Sequence, residues 1–161
     1  MRFRKEIEFP GTVEHVRAML LDPEFRNQVA LATNGRPAES RVEETPEGPR
    51  SVNEIRPSLE ELPSFTRPIV GAGLVIHQEE HWTSPDRATL SVRSHGRPGH
   101  IEGTITLAPT EDGGTLQTTD AEITVRIPLV GGRVETLMAK ILGNVLKVQG
   151  RLGAEWLAGK G

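Results

Sequence analysis

Residues 2 to 9 alternate strictly: Phe3, Ile7 and Phe9 fall on one face and Arg2, Arg4, Glu6 and Glu8 on the other, the period-two pattern of a half-buried strand. The period then changes. Thr12 stands at an N-cap position ahead of Val13, Val16, Met19 and Leu20 at helical spacing. Asp22-Pro23-Glu24 opens a second helix, because Asp caps well, Pro suits the first helical position and Glu suits the positive end of the helix dipole. This second helix runs through Phe25, Val29 and Leu31 and stops at Asn34-Gly35.

Alternation returns further along. Turn chemistry at Thr45-Pro46-Glu47-Gly48, Ser84-Pro85-Asp86-Arg87, His95-Gly96-Arg97-Pro98-Gly99 and Glu111-Asp112-Gly113-Gly114 marks hairpins. Between them the pattern predicts strands over 74–83, 88–94, 100–108 and 115–127, with fainter alternation over 38–45 and 50–56. The interruption at 57–73 mixes Pro57, Pro63, Pro68, Gly71 and Gly73 with Leu59, Leu62, Phe65, Ile69 and Val70, which predicts a short helix or ordered loop packed over something.

A long helix, Arg133 to Ala158, closes the chain; Val134, Met138, Ile141, Leu142, Val145, Val148, Leu152 and Trp156 share one stripe, with Lys140, Lys147 and Arg151 opposite. The expected fold is α+β: a seven-stranded antiparallel sheet, with two short helices after strand 1, wrapped around the long C-terminal helix. Gly143 and Gly150 are expected on that helix's outer face, where with Ala154 they mark either a bend or a small-residue dimer surface, the bend being the simpler reading.

At 161 residues the chain is read as one domain over 1–161. The net charge of -3, a pI near 6.0 and the scattering of basic among acidic residues give no footprint for nucleic acid. Without cysteine there is no disulfide, thiol nucleophile or thiolate metal site, which fits a cytoplasmic protein. No apolar run resembles a signal peptide or is long enough to span a bilayer, so a soluble, unprocessed chain is expected, a monomer or weak homodimer. Absent tyrosine removes phenolic acids from any mechanism.

Certain stretches carry a family likeness: Glu8-Phe9-Pro10-Gly11-Thr12-Val13-Glu14-His15-Val16 leading to Leu21-Asp22-Pro23-Glu24-Phe25, then Glu79-Glu80-His81-Trp82, then Ile127-Pro128-Leu129-Val130-Gly131-Gly132-Arg133-Val134-Glu135. With the order of elements, they make the whole chain resemble the helix-grip superfamily of START lipid-transfer domains, polyketide cyclases and Bet v 1-like proteins (SRPBCC), and within it a bacterial branch known only as a domain of unknown function. Arg17 departs from the better-characterised cyclase branches, many of which carry Trp just after the Val. The resemblance implies a cavity between sheet and long helix, commonly for lipids, sterols or polyketides, with more binders than enzymes.

His77 and His81 flank Glu79, but on a strand the two imidazoles start roughly 13 Å apart and cannot easily share a metal ion, so the expectation is a solvated outer face and no metal. Leu74, Ile76 and Trp82 mark the opposite face as inward, which turns Gln78 and Glu80 toward the helix. There Glu80 orients a ligand, serves as a general base, or simply pairs with an arginine such as Arg56. Gln149 is the matching polar residue inside the helix stripe, about 60° from Val134 on the wheel.

The chain has no Gly-x-Ser-x-Gly elbow, and Gly71-Ala72-Gly73 lacks the further glycine and following helix of a dinucleotide site, so no cofactor is implied. The leading expectation is binding or carriage of a small to medium hydrophobic molecule. Its predicted lining is Trp82, Leu90, Val92, Ile105, Ile123, Met138, Leu142 and Val145, with Gln78, Glu80 and Gln149 as polar groups and the segment 59–70 as lid. The alternatives are a cyclase- or hydrolase-like enzyme using Glu80 as acid/base, and a protein-interaction module without a ligand.

Overall fold

A computed structural model describes every residue except Glu61, Ala72 and Gly161, together with all side chains but that of Lys160 among the rest; the middle of Gly71-Ala72-Gly73 thus lies outside the described residues. Strand β1 (Arg2–Phe9) is followed by helix α1 (Val13–Leu20) and helix α2 (Pro23–Asn34). Thr12 caps α1 by accepting from the His15 N–H, Asp22 caps α2 by accepting from Glu24, and Gly35 ends α2 in the left-handed region at φ 70°. Each of these boundaries is legible in the sequence.

Six further strands follow, β2 (Glu39–Thr45), β3 (Gly48–Ile55), β4 (Ile76–Ser84), β5 (Arg87–Ser94), β6 (His100–Pro109) and β7 (Thr115–Thr124). Together they form one antiparallel seven-stranded sheet in the order β1-β7-β6-β5-β4-β3-β2. Strand β7 stops three residues before the predicted 127, where Val125 N–H turns to the carboxylate of Glu135 at 2.9 Å. Ile127 to Val130 form the turn into helix α4 (Gly131–Lys160), which begins two residues before the expected start at Arg133. The α+β helix-grip arrangement is therefore present.

Register carries inward-facing residues across the sheet in rows. One row runs Ser51, Glu80, Leu90, Gly103, Ala121 and Phe3 from β3 to β1, and the next runs Trp82, Ala88, Ile105, Thr119 and Lys5. The core formed on this face includes Phe9, Val16, Met19, Leu20, Phe25, Trp82, Leu90, Ile101, Ile105 and Ile123. Arg17, at the position where the likeness departs, lays its guanidinium 5.9 Å from the Trp82 ring centre.

Helix α4 sits on the sheet rotated from the expected stripe. Its fully buried line is Val134, Leu146, Gln149, Gly153 and Leu157, whereas Ile141 is 42% exposed. Gly143 and Gly150 are not on an outer face: a methyl at Gly150 would touch Ile7 at 3.8 Å and one at Gly143 would reach Phe3 at 4.0 Å. Glycine scores as polar on a wheel because it has no side chain, yet at both positions the helix faces β1 with room for a methyl. Leu31 of α2 likewise turns outward, half exposed, while Arg26 turns in.

The proline- and glycine-rich interruption holds a 3-10 turn at Ser64–Thr66 and helix α3 (Arg67–Val70). Phe65 packs under the Arg133 guanidinium at 4.1 Å, and Arg97 donates to the carbonyls of Val70 at 2.9 Å and Gly73 at 3.1 Å. No described helix is long and apolar enough to cross a membrane.

Candidate functional site

Arg26 is the residue about which the interior is organised. It lies one turn into α2 with its side chain only 7% exposed, on the same helical face as Val29, Ala30 and Thr33. Its Nε donates to the carbonyl of Leu20 at 2.8 Å, a carbonyl left without an intrahelical partner at the end of α1. Its two terminal nitrogens reach in different directions: Nη2 pairs with Glu80 Oε1 on β4, and Nη1 donates to Gln149 Oε1 on α4 at 3.4 Å. One guanidinium therefore ties α1, α2, β4 and α4 together.

The network continues on both sides. Gln78, two residues along β4 and so on the same face, donates to Glu80 Oε2 at 2.9 Å. Gln149 passes its amide N–H to Gln117 Oε1 at 3.5 Å, and Gln117 donates to Thr119 Oγ1 at 3.4 Å on β7. Asn53, the register partner of Gln78 on β3, is 2% exposed; its Nδ2 donates to Ser51 at 3.4 Å, but its buried Oδ1 has no donor among the described residues.

These groups enclose a space of about 60 Å³ between the sheet, α2 and α4. Polar lining comes from Arg26, Thr33, Asn34, Asn53, Gln78, Glu80, Gln117, Thr119 and Gln149. Val29, Ala30, Ala38, Ile55, Leu90, Ile105, Leu142, Val145 and Leu146 supply the apolar remainder.

Of the residues singled out from sequence, Gln78, Glu80, Leu90, Ile105, Leu142, Val145 and Gln149 come together around this space. Trp82, Val92, Ile123 and Met138 do not line it; all four pack into the surrounding core. No described residue of the 59–70 segment lines it either, whereas the end of α2 and Ala38 do. Glu80 does pair with an arginine, but with Arg26; Arg56 lies at the surface against Glu39 at 3.1 Å.

Six polar lining residues escaped the sequence reading, and four of them had a usable signal. Arg26 keeps helical spacing with Val29, Ala30 and Thr33; Gln117 and Thr119 share the parity of Ala121 and Ile123; Asn53 shares that of Ile55. Polar residues in an inward register were overlooked because a hydrophobicity pattern counts only apolar positions.

On the outer face, His77 lies 3.0 Å from Glu79 and His81 lies 2.9 Å from Thr45, so the two imidazoles engage separate neighbours. Among the described residues no group of three His, Cys, Asp or Glu side chains could hold a metal ion. In the interior, both oxygens of Glu80 are engaged, which makes it the anchor of Arg26 before anything else.

A family model described as "Protein of unknown function (DUF2505)" matches residues 5–157. The uncharacterized proteins Rv0481c of Mycobacterium tuberculosis and Mb0491c of Mycobacterium bovis are 30% identical over 101 residues, a match spanning 60% of this chain and 58% of each relative. Among solved structures, TTHA0849 from Thermus thermophilus aligns over 100% of both chains with a TM-score of 0.65 at 21% identity. A START superfamily protein from Mycobacterium smegmatis aligns over 96% of this chain and 98% of its own with a TM-score of 0.63 at 14% identity. The di-domain ARO/CYC protein StfQ of the steffimycin biosynthetic pathway aligns with 98% of this chain over 51% of its length, with a TM-score of 0.66 at 14% identity. At these identities the likeness to solved structures is one of fold.

Proposed function

We propose that this chain, which belongs to the DUF2505 family of proteins of unknown function, binds a small hydrophobic ligand in the space between its sheet, α2 and α4. The observation that carries the reading is the lining itself: apolar walls from α2, β5, β6 and α4, with convergent polar groups supplied by α2, β3, β4, β7 and α4. Binding sites for small molecules combine apolar surface with placed polar groups that orient the guest. The polar groups are costly unless they do something, since each must be hydrogen-bonded to sit in the core at all.

In its closed form the space of about 60 Å³ suits water-sized occupants, well short of the ~150 Å³ apolar cavity that accepts benzene. A ligand on this reading enters by parting the end of α2, with Val29, Ala30 and Thr33, from Leu142 and Leu146 of α4. Binding is favoured over acid–base chemistry at Glu80 because a base needs a free oxygen aimed at its substrate, and here Arg26 and Gln78 occupy both.

Native mass spectrometry of the purified chain, with thermal denaturation against a fatty acid, a sterol and an aromatic polyketide, tests this reading. A co-purified small molecule, or a melting temperature that rises with added compound, is the expected result. Bare protein whose melting temperature responds to none of them would refute it and leave a hydrated core.

A further inference from the structure

We infer that the ligand of this space is electrically neutral and presents a hydroxyl group to Asn53, an inference that rests on the binding reading above. Charge is the first argument. Among the residues lining the space only Arg26 and Glu80 are charged, and they neutralise each other. An anionic headgroup therefore meets no uncommitted cation. To take Arg26 it would have to displace Glu80, whose side chain is 3% exposed and would be left without its counter-ion. Lys5, the register partner of Thr119, is not part of the lining. A cationic ligand is disfavoured by the same symmetry, since Glu80 is already bound to Arg26.

Hydrogen bonding is the second argument. Asn53 is buried against the space, and its Oδ1 lacks a donor among the described residues. A ketone, ether or carboxylate offers only acceptors and cannot satisfy that oxygen, whereas a hydroxyl can. Turning the amide over would leave its NH₂ as the orphan group; a hydroxyl, being donor and acceptor at once, satisfies both arrangements, whereas a ketone or ether satisfies only this second one. Gln149 has capacity to spare, because its bonds to Arg26 and Gln117 are long at 3.4 Å and 3.5 Å. The geometry suits a hydroxylated apolar compound and excludes a fatty-acid anion.

Three probes of one shape separate these arguments: para-propylphenol, propylbenzene and para-propylbenzoate, titrated calorimetrically into the full chain at neutral pH. The phenol is expected to bind about fivefold to tenfold more tightly than propylbenzene, the value of one net hydrogen bond. The benzoate is expected not to bind detectably. Asn53→Leu should erase the phenol's advantage while retaining propylbenzene. Glu80→Gln, which uncovers the charge of Arg26, should admit the benzoate.

Benzoate binding to the parent chain as tightly as the phenol overturns the neutral-ligand inference. Equal binding of phenol and propylbenzene, or an advantage that survives Asn53→Leu, overturns the hydroxyl. Either result leaves the cavity reading standing, whereas failure of all three probes to bind overturns both.

Discussion

Replacing Arg26 by Met tests the central feature of the interior. The substitution keeps an unbranched apolar stem but removes the guanidinium, so Glu80 retains only the 2.9 Å bond from Gln78 and the Leu20 carbonyl loses its donor. Both partners are almost entirely removed from solvent, with side chains 7% and 3% exposed, so the cost is that of an uncompensated buried charge, about 3–5 kcal/mol. For a chain of this length, at roughly 2–4 °C per kcal/mol, the melting temperature should fall by roughly 6–20 °C. Urea denaturation followed through Trp82 and Trp156 measures the loss directly. The double variant Arg26→Met, Glu80→Gln removes both charges and should recover most of it, giving a coupling energy of several kcal/mol between two residues 54 positions apart. A single-variant cost under about 1 kcal/mol, as expected for an exposed pair such as Arg41–Glu43, would refute the reasoning. So would a double variant as unstable as the two single costs added together.

Two glycines of α4 should respond to alanine in opposite ways. A methyl at Gly153 would collide with the Phe9 ring and lie 3.1 Å from Met19 Cε, so overpacking of about 1–3 kcal/mol should outweigh a helix-propensity gain of about 1 kcal/mol. At Gly143 the nearest atom outside the helix is 4.0 Å away on Phe3, and alanine should stabilise by about 1 kcal/mol; denaturation midpoints moving in the same direction would contradict this packing. In the β6–β7 turn, the hydroxyl of Thr110, followed by the backbone N–H of Gly114, holds the Asp112 carboxyl below its ordinary range. Because the folded value is depressed, the turn's contribution should be present above the unfolded aspartate value and be lost as pH falls through the folded one. An NMR titration should show the Asp112 midpoint rising toward the ordinary range in Thr110→Val, and an unchanged midpoint would show that the hydroxyl is not the cause.

The order of elements was legible in the sequence because it depends on local rules. Period-two alternation in 2–9, the caps Thr12 and Asp22, the stop at Gly35 and the four hairpin turns each operate over a few residues. Their sum, a run of antiparallel strands followed by one long helix, already implied a sheet wrapped around that helix. The parity of β4 also turned Gln78 and Glu80 inward, and the helix stripe singled out Gln149.

Rotation, depth and partnership were settled only by tertiary structure. Helix α4 turned Gly143, Gly150 and Gly153 to β1, and only at Gly153, beside the Phe9 ring, is a methyl excluded, a contact distance that no wheel records. The partner of Glu80 came from 54 residues upstream on a helix, and such a pairing is fixed by how α2 crosses the sheet rather than by any local pattern. Sequence alone thus determined which residues could face inward; only packing decided that Arg26, Glu80, Gln149 and Asn53 would surround one space, because a buried charge and a buried amide must find partners wherever the fold brings them.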